Sequence, residues 1–368
     1  MFLKSLKLLN FRNYEQLELN FNSNITLFTG KNAQGKTNIL EAIYLSCTGR
    51  SHRTQKDKEM IQWKFETGFI KTEVLKKDGI HVIEILLQQE GKKKIKVNGI
   101  VAARSGELMG HLNGVIFSPE DLKLVKEGPS ERRRFMDIEL SQVKPQYFYN
   151  LQQYNRVLSQ RNNLLKEIMR KPSLKNSLFV WDEQLSDIGS RIIWQRKIFS
   201  DRLSKIACSI HHSISDGKEN LQVKYQGNID GNNLECIKIN FLMQLEKNLS
   251  ADMHKGSTSV GPHRDDMLLT INDIDVRSFG SQGQQRTTVL SMKLSELELM
   301  KEDIGEYPVL LLDDVMSELD SDRQRMLMEH ICGIQTLITC TDIESILQIT
   351  EKEKETYHVS NGKLKILS

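Results

Sequence analysis

The 368-residue chain is 39% hydrophobic and 27% charged with a formal net charge of +3, the composition of a globular protein of about two domains rather than of a disordered or fibrous one. Its five cysteines (Cys47, Cys208, Cys236, Cys332, Cys340) include no Cys-x-x-Cys pair, which argues against a zinc site or disulfide framework and suits a reducing compartment. The first residues lack the apolar core and cleavage site of a signal peptide, and no apolar run reaches membrane-spanning length, so a cytoplasmic location is expected.

In chain order, residues 24–28 form a short apolar, β-prone run and residues 37–43 have helical spacing. Between them stands Gly-Lys-Asn-Ala-Gln-Gly-Lys-Thr at residues 30–37, a phosphate-binding loop in the strand-to-helix context that the motif requires. Gly30 and Gly35 let the backbone wrap with its N–H groups inward. Lys36 reaches the β- and γ-phosphates, the Thr37 hydroxyl ligates Mg²⁺, and the helix N-terminus favours the anion.

From residue 121 to residue 205 there are 17 Lys/Arg against 10 Asp/Glu, a local excess of +7 within a nearly neutral chain. Long helical stretches are expected at residues 147–170 and 181–212, where apolar side chains such as Leu151, Tyr154, Leu158 and Leu165 recur at helical intervals. A helical arm with a nucleic-acid backbone surface is one reading of this segment. A solvated helix face laced with ion pairs is the other. The run Arg132-Arg133-Arg134 is read as pinning a domain junction.

Farther on, residues 267–279 read as a hairpin around Asn272-Asp273. Ser281-Gln282-Gly283-Gln284-Gln285-Arg286 then opens a helix to about Met300. Alone this segment reads as a simple helix cap; with a hydroxyl, exposed N–H groups and a dipole offered to an anion, and a strand with an acidic end following it, it reads as an ABC-type signature sequence. Residues 308–312 are apolar throughout, as in a parallel strand buried on both faces. Asp313 ends that strand as an expected Mg²⁺ ligand, and Asp314 sits where a catalytic base orients the attacking water. Lys36 and Asp313 lie 277 positions apart, so the site is assembled from both ends of the chain. Another strand and its end are read at residues 336–342.

These motifs in this order resemble the RecF family of bacterial recombination-repair ATPases, relatives of SMC and Rad50 heads, over essentially the full length. The resemblance rests on residues 10–14 (Asn-Phe-Arg-Asn-Tyr), on Pro119-Glu120-Asp121-Leu122 through Arg132-Arg133-Arg134-Phe135-Met136-Asp137, and on residues 261–266, 281–286 and 312–320. It implies an α/β fold, an ABC-type ATPase head with mixed sheets and helices and an inserted, mainly helical arm. The head would span residues 1–118 and 259–368, and the arm residues 119–258.

The implied ATP contacts are Gly30, Lys31, Asn32, Ala33, Gln34, Gly35, Lys36, Thr37 and Asn38, with Arg12 near the nucleotide. Ser281, Gly283 and Gln284 of a second copy would complete the site. Lys36 and Asp314 would be catalytic, and Thr37 and Asp313 would hold Mg²⁺. Residues 317–320 match the loop such ATPases place across a dimer interface. The implied activity is slow, DNA-stimulated ATP hydrolysis that resets an ATP-driven homodimer on gapped, duplex and single-stranded DNA. RecR, RecO and RecA are the implied partners and no membrane is involved; the alternative is the ATP-binding subunit of an ABC transporter.

Three positions depart from the ABC pattern. Residues 115–119 supply no Mg²⁺-sensing glutamine, which leaves Glu120 or Asp121 as substitutes. Asp314 stands where a glutamate is usual, and Thr341 where a histidine is usual. All three point to a slow switch. Glu127 also occupies an expected glycine position.

Overall fold

The computed structural model describes residues 1–341 and 354–367. Two compact units emerge from the contacts: Met1–Asp121 with Lys293–Ser368, and Leu122–Met292.

The first unit begins with strands β1 (Phe2–Phe11), β2 (Tyr14–Asn20) and β3 (Ile25–Thr29), followed by helix α1 (Lys36–Thr48). Strands β4 (Thr67–Lys76), β5 (Gly79–Gln88), β6 (Lys94–Val97), β7 (Ile100–Val101) and β8 (Gly114–Phe117) follow. One six-stranded antiparallel sheet has the order β2-β1-β4-β5-β6-β7. Strands β1 and β4 intersperse buried residues with partly exposed ones, the pattern of a sheet with one face on a core. β3 is instead buried at all five positions, and it belongs to the second sheet.

Helix α1 is apolar around most of its circumference. Ile39, Leu40, Ala42, Ile43, Leu45 and Cys47 are fully buried, in one core cluster with Leu6 and Leu8 of β1, Ile83 and Ile85 of β5, and Leu311 and Leu337. Its C-terminus is closed by Gly49 in the left-handed conformation, whose N–H bonds the Leu45 carbonyl.

The second unit opens with α2 (Lys123–Lys126), α3 (Pro129–Val143), α4 (Pro145–Ile168) and α5 (Leu178–Ile214). At 37 residues, α5 is about 55 Å long. Then come β9 (Leu221–Gln226), α6 (Leu234–Lys247), α7 (Leu249–Lys255), β10 (Asp266–Ile271), β11 (Ile274–Asp275) and α8 (Val276–Phe279). Arg161 of α4 is wholly buried and bonds Asp182 at 2.6 Å, Asp252 at 2.9 Å and Thr258 at 2.9 Å.

The arm, read from sequence as ending at residue 258, is compact through Met292. The cause is β9, which the sequence reading missed: β10 pairs antiparallel with it from Asp266↔Gln226 to Ile271↔Leu221. The hairpin at Asn272-Asp273 is present, with both residues at positive φ. Arg132 and Arg133, read as part of a domain-junction pin, make their contacts within the second unit. Arg132 holds Asp266 bidentately at 2.7 and 2.9 Å, and Arg133 donates to the Asp265 carbonyl at 2.6 Å, all inside the second unit. Glu127 is accommodated at φ −89°, so no glycine is needed there.

Helix α9 (Gln282–Ile304) carries the chain from the second unit into the first. Strands β12 (Val309–Asp313), β13 (Thr336–Cys340), β14 (Lys354–Ser360) and β15 (Lys363–Ile366), with α10 (Ser321–His330) after β12, complete the first unit. The second sheet runs β15-β14-β3-β13-β12-β8. Strands β14, β3, β13, β12 and β8 are mutually parallel, and β15 is antiparallel. Asp342, read as the end of β13, lies outside the described residues.

Candidate functional site

The loop after β3 is held in a conformation only glycine permits at two points. Gly30 has φ +145°, and a Cβ there would lie 2.4 Å from the Val359 carbonyl oxygen. Gly35 has φ +115°, and its Cβ would fall 2.5 Å from the Asn13 side-chain amide. The loop is braced from two sides. Asn13 donates to the Gln34 carbonyl at 2.8 Å and Tyr14 to the Gly35 carbonyl at 3.1 Å. From the β14–β15 turn, the Asn361 N–H donates to Gln34 Oε1 at 2.8 Å and the Gly362 N–H to the Gln34 carbonyl at 3.3 Å. Asn38 donates to Asn13 Oδ1 at 2.8 Å.

Lys31, Asn32 and Ala33 remain exposed at the loop's crest. Lys36 is buried, and its Nζ donates to the carbonyls of Gly30 at 2.5 Å and Lys31 at 3.1 Å. Burial lowers its pKa, against the pull of the nearby Asp314 and Asp313 carboxylates. A phosphate anion entering the loop offers this ammonium a better partner than carbonyls.

The acidic end of β12 meets the start of α1. Thr37 Oγ1 donates to Asp313 Oδ1 at 2.8 Å, and Thr339 Oγ1 donates to the same oxygen at 2.8 Å. The other Asp313 oxygen has no protein partner among the described residues. A hydroxyl and a carboxylate in contact are hard oxygen ligands of the kind Mg²⁺ takes, with waters and phosphate oxygens filling the remaining positions. No cluster of three His, Cys, Asp or Glu exists among the described residues, so the fit is to a phosphate-borne metal and not to an all-protein cage.

Asp314 adopts φ +55°, stabilised by its N–H donating to Thr339 Oγ1 at 3.0 Å. Burial raises its pKa, as does Asp313, while Lys36 acts in the opposite direction.

Arg12, at φ +53°, grips Glu41 of α1 bidentately at 2.8 and 2.6 Å and donates to the Glu59 carbonyl at 2.7 Å. Burial alone would push the Glu41 carboxyl up. Hydrogen bonds from Arg12 and Ser51, with the charges of Arg12 and Arg53, hold it below its ordinary value. Arg12 is thus anchored one turn into α1, with its guanidinium largely committed to protein oxygens. His52 lies close by with Nδ1 buried and unpartnered among the described residues, and burial depresses its pKa.

In the second unit, Ser281 and Gln284 cap α9 reciprocally. Ser281 Oγ accepts from the Gln284 N–H at 3.2 Å, and the Ser281 N–H donates to Gln284 Oε1 at 2.9 Å. This is a capping box, so the helix-cap reading holds in its own right. Gln284 Nε2 also donates to Glu219 at 2.9 Å. Ser281 and Gly283 stay exposed.

At the position lacking a glutamine, Asp121 accepts from the Ser118 N–H at 2.6 Å, which ties its carboxylate into the turn after β8, while Glu120 is exposed. Thr341 is exposed beyond β13. Sequence reasoning missed the bracing residues Asn13, Asn361 and Gly362 and the carboxylate partner Thr339.

Two stacked sheets around a P-loop helix, with a strand-end aspartate on the P-loop threonine and a Ser-x-Gly-Gln helix start elsewhere in the chain, define an ABC-type ATPase head. Residues 2–365 match the RecF/RecN/SMC N terminal domain family. A "DNA replication and repair protein RecF" of Clostridium tetani is 50% identical over 98% of this chain and 99% of its own. One of the same description from Alkaliphilus oremlandii is 47% identical over 99% and 100%. A solved structure described as the recombination mediator protein RecF with ATPrS, in the RecFOR pathway, superposes with a TM-score of 0.93 at 38% identity, covering 100% of this chain and 98% of that one.

The chain belongs to the RecF family. That membership displaces the transporter-subunit alternative.

Proposed function

We propose that this chain binds Mg·ATP and that two copies close around two nucleotides on DNA at gaps between duplex and single strand. Slow, DNA-stimulated hydrolysis reopens the pair, and the cycle promotes RecA loading together with RecR and RecO. The observation that carries this reading is the Thr37–Asp313 contact, which brings the phosphate-binding and metal-binding halves of one site together. The exposed Ser281 and Gly283 at the start of a capped helix supply the surface that a second copy's nucleotide would meet.

When bound, Mg²⁺ held at Thr37 and Asp313 would neutralise phosphate charge. Lys36 would hold phosphate oxygens in place of the Gly30 and Lys31 carbonyls. Asp314, with its raised pKa, would accept a proton from the attacking water. Its short side chain and the missing glutamine and histidine suit a switch that turns over slowly. RecF relatives solved with ATP and with ATPrS support the nucleotide assignment.

Light scattering with and without ATP, followed by binding to a tailed duplex, tests the reading. ATP-dependent doubling of mass and nucleotide-dependent DNA binding are expected. A chain that stays monomeric with saturating Mg·ATP refutes it.

A further inference from the structure

The second unit contains a cavity of about 160 Å³ whose polar wall is made by Arg133 and Asp137 of α3, Tyr154 and Asn155 of α4, Arg196 of α5, and His263. That volume is roughly ten times what one water needs. Its lining carries two arginines and one aspartate. Arg196 is buried and fully engaged: it bonds Asp137 Oδ1 at 2.8 Å, the Tyr147 hydroxyl at 2.9 Å and the Pro262 carbonyl at 2.6 Å, so Asp137 neutralises it. His263 is neutral, because burial depresses its pKa to about 4. Its Nε2 lies 3.1 Å from the Thr258 carbonyl and must donate there, which leaves Nδ1 to accept from the Tyr154 hydroxyl at 2.8 Å.

Arg133 is therefore the cation of the lining with guanidinium donors to spare. It donates once, to the Asp265 carbonyl, and has no carboxylate partner among the described residues. Burial and the neighbouring Arg196 lower its pKa, while the Asp266, Asp137 and Asp265 carboxylates act in the opposite direction without bonding it directly. The Asn155 amide is exposed at the rim with no protein partner among the described residues. Arg134 and Arg156, next in sequence to these two residues, are exposed as well and have no partner among the described residues.

We propose that this cavity seats one phosphodiester of a nucleic-acid strand, held by the free guanidinium donors of Arg133 and by the Asn155 amide. The unspent donors of Arg133 suit the oxygens of a diester, and the exposed Arg134 and Arg156 add positive charge next in sequence to Arg133 and Asn155. Asp137 is engaged by Arg196 and by the Tyr147 hydroxyl. The inference rests on the DNA-binding reading above and locates one of its contacts.

The test measures binding of a fluorescent tailed duplex by anisotropy across a salt series, for wild type and Arg133→Gln. The variant should bind several-fold more weakly, with a log–log salt slope shallower by about 0.9, the loss of one phosphate contact. Equal affinities and slopes overturn the proposal. Should Arg133→Gln melt early, Asn155→Asp, on the exposed rim, repels the same phosphate and should also weaken binding; unchanged affinity there overturns the proposal equally. Calorimetry of wild type with inorganic phosphate separates the two sources of the anion: saturable heat lost in Arg133→Gln while the DNA slopes stay equal assigns a free anion and defeats the strand assignment. A wild type that binds no DNA at all refutes the DNA-binding reading itself, and this inference with it.

Discussion

The Thr37 hydroxyl donates to Asp313 Oδ1 at 2.8 Å across 276 positions of sequence. Asp313 is buried, and its second oxygen is free of protein donors among the described residues, so its charge is available to a cation. Asp313→Asn keeps the shape and removes the charge. ATP affinity in the presence of Mg²⁺ should fall at least about tenfold, roughly 1.4 kcal/mol. Chelating the metal should bring wild type down to the same level while leaving the variant unmoved. Calorimetric titration reads both, and Mg²⁺-stimulated binding by Asp313→Asn would show that the metal sits elsewhere.

Asn13 acts on the phosphate loop without standing in it. It donates to the Gln34 carbonyl and accepts from Asn38. Asn13→Ala removes two neutral hydrogen bonds, each contributing about 1 kcal/mol. The loop loses preorganisation, and the ATP dissociation constant should rise about 5- to 30-fold. Chemical denaturation without nucleotide should show a smaller change. An unaltered ATP affinity would mean that Tyr14 and the β14–β15 turn hold the loop by themselves.

Much of this head was legible because its signals are local. Gly30, Gly35, Lys36 and Thr37 are fixed by loop chemistry, and the apolar run before Asp313 marks a strand covered on both faces. Long helices α4 and α5 announced themselves by periodicity. The braces were not legible, because Asn13, Asn361 and Gly362 meet Gln34 only after the second sheet assembles, and a turn asparagine looks like any other turn residue. The compact second unit runs on past residue 258, which was illegible for a related reason. Residues 221–226 alternate buried and exposed, but six residues of alternation carry little weight until β10 is seen to pair with them. Arg132 read as a junction pin because its partner, Asp266, lies 134 positions away.

Asp314 should control the acid limb of ATP hydrolysis. Burial and Asp313 raise its pKa above the ordinary 3.8, with Lys36 opposing. The base form is then lost at a higher pH than for a solvent-exposed aspartate, so the rate should begin to fall while other carboxylates are still ionised. Asp314→Asn should cut turnover by about 10²- to 10⁴-fold, abolish that limb and leave ATP binding in place. A pH–rate profile of the variant that keeps the limb would assign the proton to another group.

Ser281 and Gly283 are exposed at the start of α9. Ser281→Arg places a bulky cation there and also removes the hydroxyl that caps Gln284, at a cost of about 1 kcal/mol. The variant should bind ATP nearly as well as wild type and fail to dimerise with it. A second variant, Ser281→Asp, retains a capping oxygen while repelling phosphate, and it should also fail to dimerise. Light scattering that shows a full dimer fraction for both would place this turn away from the nucleotide.

His263 makes stability depend on pH in a definite direction. Burial is the main cause of its depression from 6.5 to about 4; its bond to the Thr258 carbonyl opposes the shift, and the Arg264 and Arg133 charges reinforce it. The unfolded chain takes up a proton near 6.5 while the folded chain resists until about 4. Unfolding is therefore favoured as pH falls through that window and unaffected above it. The full effect approaches about 3 kcal/mol at the acid end. His263→Gln cannot titrate, so its stability should change less over the same window even if it is lower at neutral pH, where the Tyr154 and Thr258 contacts are imperfectly replaced. Urea denaturation of both proteins at several pH values supplies the difference. Parallel stability curves for the two between 6.5 and 4 would show that His263 is protonated in the fold, and the donor assignment from Nε2 to Thr258 would then no longer require Nδ1 to be an acceptor.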